Sequence, residues 1–215
     1  MEASIRKTRQ LYDRISRYYD LFSSPWEGPL CNSALQTLEL QPGEAVLEIG
    51  PGTGHGLVAL AQSAGASGLV FGLDLSPRML TIAHERLHAR DISSRVLLLV
   101  GDAACLPFRL ESFDALFASF VIELFDPQEI CLLLEGCRAV LKPGGRLCAV
   151  SMSGAGRSLF VRQLYERAQR RFPELIDCRP IHLARSLEAA GFEIRSVSRR
   201  SSLDLPVEIV LAVKA

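Results

Sequence analysis

Three glycines in five residues, Gly50, Gly52 and Gly54, end the apolar run Val46-Leu-Glu-Ile49 and lead into a helix-forming stretch. Glycine lets a chain turn sharply at positive φ and lets a ligand lie against bare backbone, while the first N–H groups of the following helix stay free to bind it. The spacing departs from the dinucleotide fingerprint G-x-G-x-x-G, because the third place falls on His55 when counted from Gly50 and on Leu57 when counted from Gly52. An NAD-dependent oxidoreductase is therefore the weaker reading. Asp74, 22 residues past Gly52, ends the next apolar run, where a carboxylate can accept from both hydroxyls of a ribose. Asp102 ends the run after that. Glu48, Asp74 and Asp102 thus converge on one edge, and nucleotide and adenosyl ligands both fit them.

Other side chains stand where chemistry would give them a reason. His84-Glu-Arg-Leu-His88 matches H-E-x-x-H, in which two histidines on one helix face bind zinc and the glutamate activates water. A helix advancing about 100° per residue puts Met79, Leu80, Ile82, Ala83 and Leu87 on one side and His84, Glu85 and His88 on the other, so the histidines are expected at solvent. No H-x-x-G-x-x-H continuation follows, since Asp91 and Ser94 hold those places, and no metal is expected. Glu123 interrupts the apolar run Phe120-Val-Ile-Glu-Leu-Phe125, which makes it a candidate general base. His55, held neutral by its place at a helix start, and Tyr19 are the other two candidates.

The elements that must position these residues alternate in period. Residues 2–22 carry Ile5, Tyr12, Ile15, Tyr19 and Phe22 at helical spacing; Pro25 is expected to end that helix, and a second is expected to run to about Leu40. Gln41-Pro-Gly-Glu44 turns into a buried strand over 45–49. Further strands are expected at 69–73, 95–100, 113–118 and 146–150. Helices follow Thr53, begin at Ser76-Pro77 with a serine N-cap and a first-position proline, and run from Pro127 to Leu141. Runs 192–198 and 207–213 are joined by so short a link that they form an antiparallel hairpin at the sheet edge. The whole is expected to be α/β and Rossmann-like, a seven-stranded, mainly parallel sheet with helices on both faces.

The 215 residues suit a single domain, 1–215, with residues 1–40 as a helical cap and 152–180 as a short helical insert over the site. Lys and Arg number 24 and Asp and Glu 24, so no basic field invites nucleic acid. Six cysteines without a C-x-x-C pair read as reduced thiols packed like small hydrophobes in a cytoplasmic protein. The segment Met1–Arg9 lacks the apolar core of a signal peptide, and no run reaches the roughly 18 apolar residues of a membrane span.

In chain order, Glu48-Ile-Gly-Pro-Gly-Thr-Gly54, Gly72-Leu-Asp-Leu-Ser-Pro-Arg-Met79, Gly101-Asp-Ala-Ala-Cys-Leu-Pro-Phe108, Ser112-Phe-Asp-Ala115 and Leu141-Lys-Pro-Gly-Gly-Arg146 resemble the class I S-adenosylmethionine (SAM)-dependent methyltransferases, in particular those of ubiquinone and menaquinone biosynthesis. The resemblance covers nearly the whole chain. It implies that Gly50, Gly52 and Gly54 line the methionine part of SAM with Glu48 bracing the loop, and that Asp74 binds the ribose hydroxyls. It further implies that Leu75 and Met79 flank the adenine, that Asp102 and the Ala103 N–H read its edge, and that the backbone near Ser119 meets the methionine amino group. Tyr19-Asp20 matches a Tyr-Asp pair at the end of the family's N-terminal helix and would help close the site.

A methyl on a sulfonium is already activated, so such an enzyme mainly orients donor and acceptor and excludes water. A phenolic acceptor must lose a proton during transfer, whereas an amine can lose it afterwards. The resemblance points to a small lipophilic acceptor with a quinone-type ring. The chain lacks the family's Asn-Val pair after the fourth strand and has a short insert, which leaves a phospholipid amine as the alternative acceptor. That insert carries Arg157, Arg162, Arg167, Arg170 and Arg171 among Leu159, Phe160, Leu164 and Phe172, the pattern of a basic amphipathic helix. Together with Arg6, Lys7 and Arg9 it would give peripheral contact with the inner membrane face. A SAM-fold protein that binds without catalysis is the remaining class, and oligomeric state is not encoded in any of these features.

Overall fold

The computed structural model describes residues 2–153, 180–202 and 205–215. The basic insert, read as an amphipathic helix, lies almost wholly outside the described residues. Helix α1 spans Glu2–Leu38 without a break, which corrects the expected stop at Pro25. Proline in a helix interior costs about 3 kcal/mol. Beyond it α1 buries Leu30, Ala34 and Leu38 against the sheet, and each large aliphatic side chain so buried contributes about 1.5–3 kcal/mol. Arg146 secures the same end: its Nε donates to the Leu38 carbonyl at 2.6 Å and its Nη2 to the Glu39 carbonyl at 2.8 Å. Those carbonyls have no partner inside the helix. Packing and these bonds together outweigh the local preference of one residue.

From there strand and helix alternate as β1 (Ala45–Ile49), α2 (His55–Ala64), β2 (Leu69–Asp74), α3 (Pro77–His88), β3 (Val96–Val100) and β4 (Phe113–Ser119). They continue as α4 (Pro127–Val140), β5 (Leu141–Met152), α5 (Leu183–Ala189), β6 (Phe192–Ser202) and β7 (Leu205–Lys214). Ser76 caps α3 as expected, its hydroxyl accepting from the Met79 N–H at 3.1 Å with Pro77 next in line. Lys142–Gly145, ahead of the strand expected at 146–150, form a bulge within β5: Phe113 pairs with Leu141 and Ala115 with Arg146, so the four residues loop out while Gly144 takes φ +73°.

The seven strands lie in the order β3-β2-β1-β4-β5-β7-β6, parallel except for β7, which runs antiparallel to both β5 and β6. Alternate side chains divide between two cores. Val46, Val70, Phe117, Cys148 and Val150 face α1, α2 and α3, whereas Leu47, Leu73, Leu116, Leu147 and Ala149 face α4 and α5. Glu48 shares the face of Val46, the period of two placing a carboxyl beneath the start of α2. The five cysteines among the described residues are free thiols.

Candidate functional site

The chain leaves β1 toward β2 and β3 and returns to β4 on the other side of β1, so a crevice opens at the carboxyl ends of β1 and β4, the place where open α/β sheets bind ligands. The glycine loop fills it. Gly50, Gly52 and Gly54 take φ +64°, +53° and +84°. A Cβ on Gly50 would lie 2.6 Å from Val121 Cγ2 and one on Gly54 2.8 Å from Ala83 Cβ, whereas one on Gly52 would meet nothing within 4 Å. Gly50 and Gly54 therefore serve close packing, and Gly52 faces open space. The loop is tied to β2 by Gly50 N–H donating to the Leu73 carbonyl and Gly52 N–H to Asp74 Oδ2, both at 2.9 Å.

Two cavities meet at this loop and share Tyr19, Gly50, Gly52 and Ser119. One, of about 110 Å³, is bounded by Asp74, Leu75, Met79, Asp102 and Ala103 and is roofed by Thr8 and Tyr12 of α1. The other, of about 270 Å³, is bounded by Glu48 and His55 and by Glu27, Cys31 and Asn32 of α1. Gly54, expected to touch the methionine part of SAM, lines neither cavity and packs on α3 instead.

Charge is arranged unevenly around them. Burial holds the Asp74 carboxyl above its usual value, opposed by N–H donation from Ser76 and Gly52. Asp102, in the wall of the smaller cavity, accepts from the Ala104 N–H at 2.9 Å through Oδ1. Glu48 is 4% exposed, and burial, with the Asp74 charge adding, pushes it up to about 8. Its Oε2 has no hydrogen-bond partner, while Oε1 lies 2.1 Å from where a Cβ on Gly56 would be. His55 is held below its usual value as expected, though by burial and the Arg86 charge more than by the helix start.

Glu123 is fully buried in a 3₁₀ turn, Ile122–Leu124, and lines neither cavity. Its Oε1 accepts from the Met152 N–H at 3.1 Å, and burial pushes it up to about 7. His84, Glu85 and His88 lie exposed on α3, as the apolar stripe requires. Asp20, expected with Tyr19 to help close the site, binds Arg86 and the Thr53 hydroxyl. Arg86, Asp13 and Glu27 went unread in the sequence: Asp13 accepts from Ser76 Oγ at 2.6 Å, and Glu27 joins the wall of the larger cavity.

An adenosyl amino acid fits these groups. The orphaned Glu48 Oε2 is a buried oxygen with room for a cationic partner, the open side of Gly52 leaves space for a ligand against the backbone, and Asp74 lines the smaller cavity at the end of β2. Residues 46–145 match a family model described as a methyltransferase domain. Demethylmenaquinone methyltransferase of Geobacillus kaustophilus is 29% identical over 168 residues, 74% of this chain and 68% of that protein. The enzyme of the same name from Anoxybacillus flavithermus is 30% identical over 167 residues, 74% of this chain and 67% of its own. The crystal structure of a SAM-dependent methyltransferase from Aquifex aeolicus has the same fold, with a TM-score of 0.66, 22% identity and 98% of each chain covered. With 30% identity across two thirds of the Anoxybacillus flavithermus enzyme and the methyltransferase-domain match over 46–145, the chain belongs to the class I SAM-dependent methyltransferases.

Proposed function

We propose that the chain acts as one catalytic domain that methylates a small lipophilic acceptor with a quinone-type ring. The observation that carries this reading is the larger cavity, which adjoins the glycine loop yet extends under α1 past Tyr19 to Cys31. SAM supplies an activated methyl; the protein's residues bind, orient and exclude water. Glu48 and the loop backbone would hold the amino acid end, Asp74 the ribose, and Leu75 and Met79 the adenine faces. Tyr19, common to both cavities, would stand between donor and acceptor and position the ring. Sequence likeness to demethylmenaquinone methyltransferases supports a naphthoquinol-type acceptor.

A phospholipid amine is the second reading, favoured by the carboxyls Glu27 and Glu48 on the larger cavity wall. Arg6, Lys7 and Arg9, exposed near the start of α1 beside the roof residue Thr8, would hold the enzyme at an anionic lipid surface where either acceptor resides. Labelled SAM offered with a short-chain demethylmenaquinol or with phosphatidylethanolamine decides between them. Label in the quinol supports the first reading, and label in the amine replaces it with the second.

A further inference from the structure

We propose that Glu27 is the catalytic residue on the acceptor side, the carboxylate that takes the proton a ring acceptor gives up as it is methylated. The proposal rests on the ring-acceptor reading above. Glu27 comes from α1 and, with Glu48, Tyr19 and Ser119, walls the cavity of about 270 Å³ beside the glycine loop. Burial raises both the Cys31 thiol and the Glu123 carboxyl; the Glu48 charge adds to the first, and the Glu27 charge makes a smaller contribution to each. Charges felt by buried neighbours lie where the effective dielectric is low, so a proton delivered there relieves more repulsion than one delivered to water.

The other titratable groups of the site are placed for different work. Glu48 lies beneath the α2 start against Gly56, on the cofactor side of the cavity. Asp20 holds Arg86 and Thr53, and Asp74 accepts two backbone N–H groups. The His55 side chain is 54% exposed, with Nε2 3.5 Å from Asp20. Glu123 lies behind the wall on the Met152 N–H. Burial keeps the Cys31 thiol protonated.

The step balances without a further reactant. The ring carbon–methyl bond forms as the sulfur–methyl bond breaks, the electron pair of that bond stays on sulfur, and the ring proton passes to the Glu27 carboxylate. The resulting carboxylic acid then loses the proton to solvent.

The test uses the full chain, SAM and a short-chain demethylmenaquinol kept reduced, with phosphatidylethanolamine as a second acceptor, and follows kcat and KM across pH. Glu27→Gln is expected to lower kcat on the quinol about 100-fold, to leave the Kd for SAM within about two-fold by calorimetry, and to abolish the acid limb of the kcat profile. Glu27→Asp is expected to restore part of both. The groups facing Glu27 that also titrate are Glu48 of β1, His55 of α2, Tyr19 and Cys31 of α1, and Glu123 beyond β4. Glu123→Gln must keep the acid limb, which separates that neighbour from Glu27. A Gln variant with the kcat and acid limb of wild type overturns the proposal. So does transfer to the amine in which Glu27→Gln raises KM alone, since Glu27 would then bind a cation. Loss of SAM binding in both Glu27 variants makes the residue structural and overturns it as well. Transfer to neither acceptor, with SAM bound by the wild type, overturns the ring-acceptor reading and the role of Glu27 together.

Discussion

Arg86 of α3 meets Asp20 of α1 across the glycine loop: one arm of its guanidinium holds Asp20 Oδ2, and the other donates to the Thr53 carbonyl at 2.7 Å and the Thr53 hydroxyl at 3.0 Å. The Thr53 hydroxyl donates in turn to Asp20 Oδ1. Two turns earlier on α1, Asp13 accepts from the Ser76 hydroxyl. Helix α1 is thus fastened over the smaller cavity at two carboxylates, one beside each of the lining residues Tyr12 and Tyr19.

Asp20→Asn should loosen that roof. The pair is neither exposed nor fully buried, with side-chain exposures of 34% for Asp20 and 15% for Arg86, so its loss is expected to cost about 1–2 kcal/mol, between the surface and interior cases. Thermal unfolding measures this, and the Kd for SAM should rise about 10-fold, an amount equivalent to about 1.4 kcal/mol. Burial alone would raise the Asp20 carboxyl, but the Thr53 hydroxyl and Arg86 outweigh it and hold it below its usual value. A lowered folded value gives stabilisation that is complete above the unfolded value and is lost as pH falls through the folded one. The two proteins should therefore converge in stability only in acid, below about pH 4.

Two neighbouring glycines should fail in different ways. Gly54→Ala drives a methyl into Ala83, 2.8 Å from its Cβ and 3.0 Å from its Cα, at φ +84°; strain and overlap together are expected to cost about 2–4 kcal/mol of stability. Gly52→Ala has φ +53° and open space around the new methyl. It should cost only about 1–2 kcal/mol while weakening SAM binding by more than about 10-fold, because the methyl enters the ligand's space. Unfolding midpoints and calorimetric titrations of the two variants should rank them in opposite order.

Much of this frame is legible in residue order, because each signal is local. The apolar runs, Ser76-Pro77 and the glycine loop all act within a few residues, and the structure places β1, β2, α3 and the C-terminal hairpin where those signals put them. The cap helix is different. A local rule stops it at Pro25, but burial of Leu30, Ala34 and Leu38 carries it on, and Glu27, two residues past the expected stop, enters the cavity wall with it. Likewise Asp20 and Arg86 are 66 residues apart, and nothing in their immediate neighbours announces the pair. The oddity of Glu123 is legible; its orientation is not, because the 3₁₀ turn that aims it at Met152 depends on the register of β4 and β5.

Glu123→Gln should gain stability relative to wild type as pH rises. Its carboxyl is pushed from the usual 4.5 up to about 7, so between those values the folded state holds a proton that the unfolded state has lost. Stability then falls as pH rises through this window. Glutamine keeps an acceptor for the Met152 N–H and carries no charge to bury, but its amide N–H groups take the place of Oε2, which has no partner, at a cost of about 1–3 kcal/mol that does not depend on pH. Urea unfolding should find the difference between the two proteins moving in favour of the Gln variant by on the order of 2 kcal/mol from about pH 4.5 to about pH 8. Methyl transfer should stay within a few-fold of wild type, since Glu123 lines neither cavity.

With Glu48 at the amino acid end of SAM, as proposed, binding is expected to release a proton. With its carboxyl pushed up to about 8, it is mostly protonated at pH 7 before ligand binds. An ammonium beside Oε2 favours the charged form and lowers that value in the complex, so the proton must leave as the ligand arrives. Calorimetry of SAM binding at pH 7 in buffers of different ionisation enthalpy should find most of one proton released. Affinity should climb as pH rises toward about 8 and level off above it, because deprotonation no longer has to be driven by binding. Glu48→Gln removes both the titration and the charge. It should bind SAM about 10–100-fold more weakly, as loss of a charged hydrogen bond of about 1.5–3 kcal/mol requires, with no proton release and no slope against pH. A Gln variant that still released a proton would place the titrating group elsewhere, and Asp74, the other carboxyl held above its usual value at this edge, would be the one to substitute next.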